Sequence, residues 1–278
     1  MVTPIETDER LLGRVVVVSA HLGDAVLSLG ATLAHAAEAG AVVEVLTVFA
    51  CEPTSNAPTG DWDRESGFVS EGAAATQRRI EDRNACSILG VVPRWFDFGA
   101  HPYERRGSIE EIVSAVTAAA AGADTILIPG CPNAHADHAA LGNELLCQDS
   151  SRDRLGLYAQ QPYAFNRRLA LRGPVLGGPD LGGPVETLTA ESAGNDRLPW
   201  QRAADAFTLQ RAASSFSWQR SAALGRHRQM KLRAVKQYQS QLRGLRLWHT
   251  AVGHLRLRMM LWYEARQGGE PIAWPNAT

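Results

Sequence analysis

Cysteine is scarce in this sequence, and no two of its four cysteines form a C-x-x-C pair. The four, Cys51, Cys86, Cys131 and Cys147, are widely spaced. This spacing argues against a zinc ribbon and against a disulfide-rich fold. We therefore expect small buried thiols in a reducing cytosol.

A long apolar segment is also missing. No run approaches the roughly eighteen apolar residues that a membrane-spanning helix needs. Met1–Gly13 is polar and acidic, unlike the apolar core of a signal peptide. These two absences predict a cytoplasmic protein with no membrane partner.

Neither sign of charge predominates, since 28 basic residues face 29 acidic ones and the formal net charge is −1. A balanced chain has no global field that attracts polyanions, so we expect no nucleic-acid partner. Arginines concentrated in the C-terminal third alternate with apolar residues at helical spacing, which is typical of solvated helix faces.

The first 165 residues alternate between apolar strands and helices. Arg14–Ala20 and Val42–Phe49 are buried-strand patterns, and a segment with helical spacing joins them. Strand, helix and strand within about 35 residues form a βαβ unit, which implies a parallel sheet. Further strands are predicted at 95–98 and 124–129, and further helices at 71–89, from Ser108, and at 136–148. The predicted fold class is α/β, a Rossmann-like mainly parallel sheet flanked by helices.

The rest of the chain has a different composition. Residues 172–199 are rich in glycine and proline and are interpreted as a surface excursion. Residues 202–266 are predicted to be a mostly helical C-terminal part. Residues 51–69 form a long polar loop, and loops of this length are usually functional or mobile. We predict a single domain, 1–278, with its α/β core at 14–165.

Two short segments rich in histidine and aspartate follow buried strands. They are His21 with Asp24, and His135 with Asp137 and His138. In a parallel sheet, the carboxyl ends of the strands meet at the edge where ligands bind. A lone histidine there is more often a hydrogen-bonding residue, but two such segments at one edge favour a metal site. Histidine and aspartate suit zinc, and three protein ligands leave one position open.

Five motifs occur in the same order as in one enzyme family. The first reads Ala20-His21-Leu22-Gly23-Asp24-Ala25, beside the family's A-H-P-D-D-E or P-H-L-D-D-A. The second is H-x-D-H at 135–138. The others are an R-x-x-E helix from Arg78, a Y-x-x-x-P-Y segment from Tyr158, and K-x-x-A-x-x-x-Y-x-S-Q from Lys231. Across roughly 14–242, the chain resembles the PIG-L/LmbE-like zinc-dependent de-N-acetylases.

The resemblance implies one Zn²⁺ ion bound by His21, Asp24 and His138. In the family, a metal-bound water attacks an acetamide carbonyl that the metal also polarises. The resemblance further implies that His135 protonates or hydrogen-bonds the tetrahedral intermediate, while Asp137 orients its imidazole. The residues expected near the substrate are Arg78, His101 and Tyr103.

Gly23 departs from the family pattern, because the family has its general-base aspartate there and glycine accepts no proton. A positioned base commonly contributes about 10²–10⁴-fold to the rate. Three alternatives stay open: another group accepts the proton, the metal serves cyclisation, elimination or transfer, or the protein only binds a ligand. Candidates for a substitute base are Asp137, His101, Asp61, Asp63, Glu65 and Glu71.

The sequence therefore predicts a metal-dependent hydrolase of small molecules. Its expected substrate is an N-acylated amino sugar or a similar intermediate of natural-product biosynthesis. A nucleotide-binding function is weakly supported, because no G-x-G-x-x-G or G-x-x-x-x-G-K follows a predicted strand. The sequence leaves the oligomeric state open.

Overall fold

The computed structural model of the protein describes residues 8–51, 58–99, 107–130, 136–147, 153–165, 216–221, 223, 225–247 and 250–276. Its strands are β1 (Arg14–Ser19), β2 (Val42–Thr47), β3 (Val92–Trp95), β4 (Thr125–Pro129), β5 (Leu155–Tyr158), β6 (Phe216–Arg220) and β7 (Pro271–Pro275). They form one sheet in the order β3-β2-β1-β4-β5-β7-β6. β1 to β5 run parallel, and β7 pairs antiparallel with β5 and β6. The predicted α/β fold with a mainly parallel sheet is confirmed.

The helices flank this sheet. They are α1 (Asp24–Glu38), α2 (Asp61–Glu65), α3 (Glu71–Leu89), α4 (Ile109–Ala119), α5 (Ala136–Cys147), α6 (Gly225–Val235), α7 (Gln239–Gly244) and α8 (Ala251–Arg266). Local sequence sets several ends: Ser108 and Glu111 form a reciprocal capping box at the start of α4, and α3 ends at Gly90 with φ 73°. Within the described ranges, none of the helices has the length and hydropathy of a membrane span.

The central strand β1 is buried on both faces. Val15 and Val17 pack in an apolar cluster with α1, α3 and α6, whereas Val16 and Val18 pack with α4 and α5 on the opposite face. All four side chains are fully buried. A strand enclosed on both sides explains the unbroken valine run, and it fixes the point where the chain leaves the sheet after Ser19.

The C-terminal part contains strands that we did not predict. Residues 216–220 form β6, so the predicted helix is wrong there, and residues 271–275 add β7 to the same sheet. β6 alternates buried Phe216 and half-buried Trp218 with exposed neighbours, a period-two pattern too short to identify among helical segments. The strand predicted at 95–98 lies at 92–95, where it pairs with residues 44–47 of β2. Residues 172–199 lie outside the described ranges, and the single domain stays a prediction.

A buried ionic cluster joins the C-terminal elements to α1. Lys231 Nζ donates hydrogen bonds to Glu264 Oε2 (2.7 Å) and Glu270 Oε1 (2.6 Å). The carboxylate of Glu270 also accepts the backbone N–H groups of Ala31 (3.0 Å) and Thr32 (2.8 Å) in α1. Burial alone lowers the pKa of Lys231, but Glu264 and Glu270 raise it above its ordinary value. The ammonium therefore stays charged beside two buried acids, one of which, Glu264, has its pKa raised to about 7, chiefly by burial.

Replacing Lys231 with methionine should strongly destabilise the protein, because Glu264 and Glu270 would be buried without a cation. We expect the free energy of unfolding to fall by about 3–5 kcal/mol, measured by urea denaturation. The control is Arg94→Gln, which breaks an exposed ion pair with Glu44 (3.0 Å) and should cost less than about 1 kcal/mol. Equal losses in the two variants would contradict the assignment.

Candidate metal centre

The turn between β1 and α1 is closed by its own polar groups. The Ser19 hydroxyl donates to the carbonyl of His21 (2.7 Å), and Asp24 Oδ2 accepts the backbone N–H of His21 (2.8 Å). Gly23 has φ 95°, a left-handed conformation that glycine adopts readily. The turn therefore brings the two side chains together, with His21 Nδ1 3.4 Å from Asp24 Oδ2.

The second segment reaches the same point from the neighbouring strand. β4 pairs with β1, and the strand order reverses between them, so the loops after both strands open at the switch point of the sheet. His138, in the first turn of α5, has Nε2 3.1 Å from Asp24 Oδ2 and 2.9 Å from His21 Nδ1. The ligand atoms of His21, Asp24 and His138 all lie within 4.8 Å of one another.

Both histidine rings have their outward nitrogens beside an oxygen acceptor. His21 Nε2 lies 3.3 Å from Asp137 Oδ2, and His138 Nδ1 contacts Gln160 Oε1. Gln160 is itself oriented, because its Nε2 donates to the carbonyl of Gly130 (2.6 Å). Protons on the outward nitrogens leave lone pairs on the two inward ones, as metal coordination requires. Two imidazoles and one carboxylate are a donor set that fits Zn²⁺.

The electrostatics of this cluster favour a positive charge at its centre. Burial alone lowers the pKa of His21, but the hydrogen bonds and charges of Asp137 and Asp24 outweigh it and raise this pKa to about 9. Burial alone raises the pKa of Asp24, but His138 and His21 bring it well below its ordinary value. Without a cation, two lone pairs would face each other across 2.9 Å. A proton or a metal ion relieves that repulsion.

Asp137 contacts His21, and its predicted contact with His135 stays a prediction. The resemblance implied that it orients His135, which lies outside the described residues. The structure places its carboxylate beside His21, and Asp137 is not one of the three residues whose ligand atoms converge. Asp137 thus orients a candidate metal ligand.

Two aromatic rings border the cluster. The ring centroids of Phe49, after β2, and His21 are 5.7 Å apart, and those of Tyr163 and His138 are also 5.7 Å apart, with the two rings nearly perpendicular. Sequence reasoning missed Phe49 and Gln160, and it gave Tyr163 no role. Gln160 follows β5, and only the sheet order β1-β4-β5 reveals that the end of β5 adjoins the two ligand loops.

Arg78 is the described member of the predicted substrate group, since His101 and Tyr103 lie outside the described residues. Its guanidinium forms an ion pair with Asp63 of α2 and lies 5.5 Å from the centre of the Phe68 ring. The pair is almost fully buried and joins α2 to α3. The substrate role of Arg78 stays a prediction.

The substitute-base candidates differ in their surroundings. Asp63 is buried with Arg78, and Asp61 is an exposed partner of Arg64. Glu65 is exposed and Glu71 is half-buried. Asp137, the other described carboxylate candidate, contacts His21 of the His21–Asp24–His138 cluster.

The chain is similar to known deacetylases. Residues 16–146 match the family PIG-L, described as GlcNAc-PI de-N-acetylase. The A40926 pseudoaglycone deacetylase Dbv21 is 26% identical with a TM-score of 0.66, covering 94% of this chain and 96% of that one. A triple mutant of a deacetylase of the teicoplanin biosynthetic pathway is 24% identical (TM-score 0.66, 94% and 97% covered), and the zinc-inhibited form of teicoplanin deacetylase Orf2 is 23% identical (TM-score 0.63, 94% and 97% covered). No curated protein matches the chain.

Gln160→Leu should weaken metal binding, because it leaves His138 Nδ1 without its buried acceptor. We expect the affinity for Zn²⁺ to fall about 10–100-fold, as is typical when a residue that orients a metal ligand is removed. Competition with a chromogenic chelator measures this affinity. Gln161→Leu is the control, since this adjacent buried glutamine binds the backbone N–H of Phe165 instead. An equal effect of both changes would count against the role of Gln160.

Proposed function

We propose that this protein is a metal-dependent hydrolase that removes an acyl group from an N-acylated amino sugar or a related intermediate of natural-product biosynthesis. The match of residues 16–146 to the PIG-L family supports this proposal. The convergence of His21, Asp24 and His138 at the switch point of the sheet carries this proposal. The structural neighbours support it, because Dbv21 and the teicoplanin enzymes are deacetylases.

The proposed metal is one Zn²⁺ ion with His21, Asp24 and His138 as its protein ligands. When bound, zinc polarises an acyl carbonyl and lowers the pKa of a coordinated water. Asp137 and Gln160 hold the two imidazole rings in the orientation that presents their inward nitrogens. We assign His135 the role that the family resemblance implies, which is to protonate or hydrogen-bond the tetrahedral intermediate.

The proton acceptor in this proposal is a group other than residue 23. A Cβ atom built on Gly23 would lie 3.3 Å from two ring carbons of Tyr238 and 3.5 Å from Gln241 Nε2. The Cβ atom of a side chain there would point toward Tyr238 and α7. Such a residue would also have to adopt φ 95°, which is strained for any residue other than glycine. This turn therefore suits glycine, and in the proposed reaction another residue accepts the proton.

Purified protein should contain one equivalent of Zn²⁺ and should release acyl groups from its substrate. His138→Ala should lose both properties, while His254→Ala, at an exposed histidine of α8, should keep them. Elemental analysis measures the metal. Mass spectrometry measures acyl release from N-acetylglucosamine, longer-chain N-acylglucosamines and teicoplanin. Wild-type protein with neither metal nor acyl release would overturn the proposed function.

Comparison of Gly23→Asp with Gly23→Asn distinguishes the effect of an added proton acceptor on the rate from the effect of backbone and steric strain. Both side chains introduce the same Cβ contact with Tyr238, but only aspartate accepts a proton. If another group is the base, both variants should lose stability and show similar kcat/KM values. A rate about 10²-fold or more higher for Gly23→Asp would show that a base at this position is lacking in the wild type. Products other than the deacylated amine would favour non-hydrolytic chemistry.

A further inference from the structure

Asp82 of α3 lies directly behind the turn that carries His21 and Asp24. Its side chain is buried, Oδ1 accepts the Tyr238 hydroxyl (2.6 Å), and Oδ2 accepts Trp95 Nε1 (2.8 Å). The backbone N–H of Gly23 also faces this carboxylate and, as a donor, lowers its pKa. Asp82 thus contacts the residue between the two candidate ligands of the turn.

Tyr238 gives Asp82 a second route to the same turn. Its ring packs against Gly23 at the distance where a Cβ atom would make tight contact, and the ring is fully buried. Because Asp82 fixes the Tyr238 hydroxyl, it also fixes the surface on which Gly23 rests. The left-handed turn is therefore restrained both through its backbone N–H and through the tyrosine ring.

The neighbouring carboxylate, Glu81, provides an internal comparison. Glu81 is also buried, and it accepts the backbone N–H (3.1 Å) and the hydroxyl (2.7 Å) of Ser240 in α7. Both acids therefore fasten α7 to α3. Of the two, Asp82 has the additional contact with the metal-centre turn.

The charge of Asp82 is also relevant. Burial raises the pKa of this carboxyl, and the negative charge of Asp24 raises it further, while the Tyr238, Trp95 and Gly23 donors act in the opposite direction. The three donors thus counteract part of the effect of burial on this carboxyl.

We propose that Asp82 is a positioning residue of the metal centre, which holds the Gly23 turn so that His21 and Asp24 are preorganised for a divalent cation. This inference rests on the proposed metal-dependent function. It gives α3, which carries the R-x-x-E motif, and the Y-x-S-Q segment a joint role, because Asp82 and Tyr238 together restrain the turn that carries His21 and Asp24.

The test compares Asp82→Asn with Glu81→Gln, two near-isosteric changes at adjacent buried acids. Zinc affinity is measured by competition with a chromogenic chelator, and melting temperature is measured on metal-free protein. Asp82→Asn should lower the affinity for Zn²⁺ about tenfold or more, whereas Glu81→Gln should leave it unchanged within error. Both variants should lower the melting temperature, because each weakens buried hydrogen bonds between α3 and α7. If Asp82→Asn cannot be purified, Asp82→Ser takes its place with the same expected and contradicting results.

A second readout examines the contact without metal. The Gly23 amide proton, assigned by its absence from the NMR spectrum of Gly23→Ala, should shift upfield in metal-free Asp82→Asn but not in Glu81→Gln. An unchanged Gly23 resonance, an unchanged zinc affinity in Asp82→Asn, or equal losses of affinity in both variants would overturn the proposal while wild-type protein still binds zinc. Wild-type protein that binds no zinc would instead overturn the proposed function, and this inference with it.

Discussion

The parallel pairing of β1 with β4 determines where chemistry is located in this protein. Val15, Val16 and Val17 lie beside Thr125, Ile126 and Leu127, and the pairing places the ends of both strands at one edge. His21 and Asp24 leave the sheet from one strand, and His138 follows the other. Without this pairing, residues distant in the chain would not share a centre. The enclosed valines of β1 make the register costly to change, since a one-residue slip would exchange its two buried faces.

The sheet brings the ligands near one another, but hydrogen bonds set their orientation. Gln160 turns the ring of His138, Asp137 turns that of His21, and Asp24 closes its own turn. These contacts come from the ends of β1, β4 and β5, three neighbouring strands of the sheet. The arrangement is preorganised, so that side-chain freedom is lost during folding and not during binding.

Much of the fold was predictable because its signals are local. The valine run of β1, the serine caps of α3 and α4, and Gly90 after α3 each act within a few residues. The convergence of His21, Asp24 and His138 was also predictable, since strand ends and motif resemblance pointed to the same three residues. Gln160, Asp82 and the buried Lys231 were not assigned roles, because their partners lie on elements distant in the chain. β6 was missed for the related reason that β7 provides its pairing.

The close contact of Gly23 with Tyr238 has an evolutionary consequence. A side chain at residue 23 would contact Tyr238 and Gln241. The effect of any substitution there therefore depends on which residues occupy positions 238 and 241. The three positions are epistatic, although they are far apart in the chain. A substitution of Gly23 alone meets the whole contact with Tyr238, whereas the same substitution beside a smaller residue at position 238 would meet less of it. Libraries that vary residue 23 alone would therefore test each side chain only against the tyrosine, and varying positions 23 and 238 together would sample combinations that single changes miss.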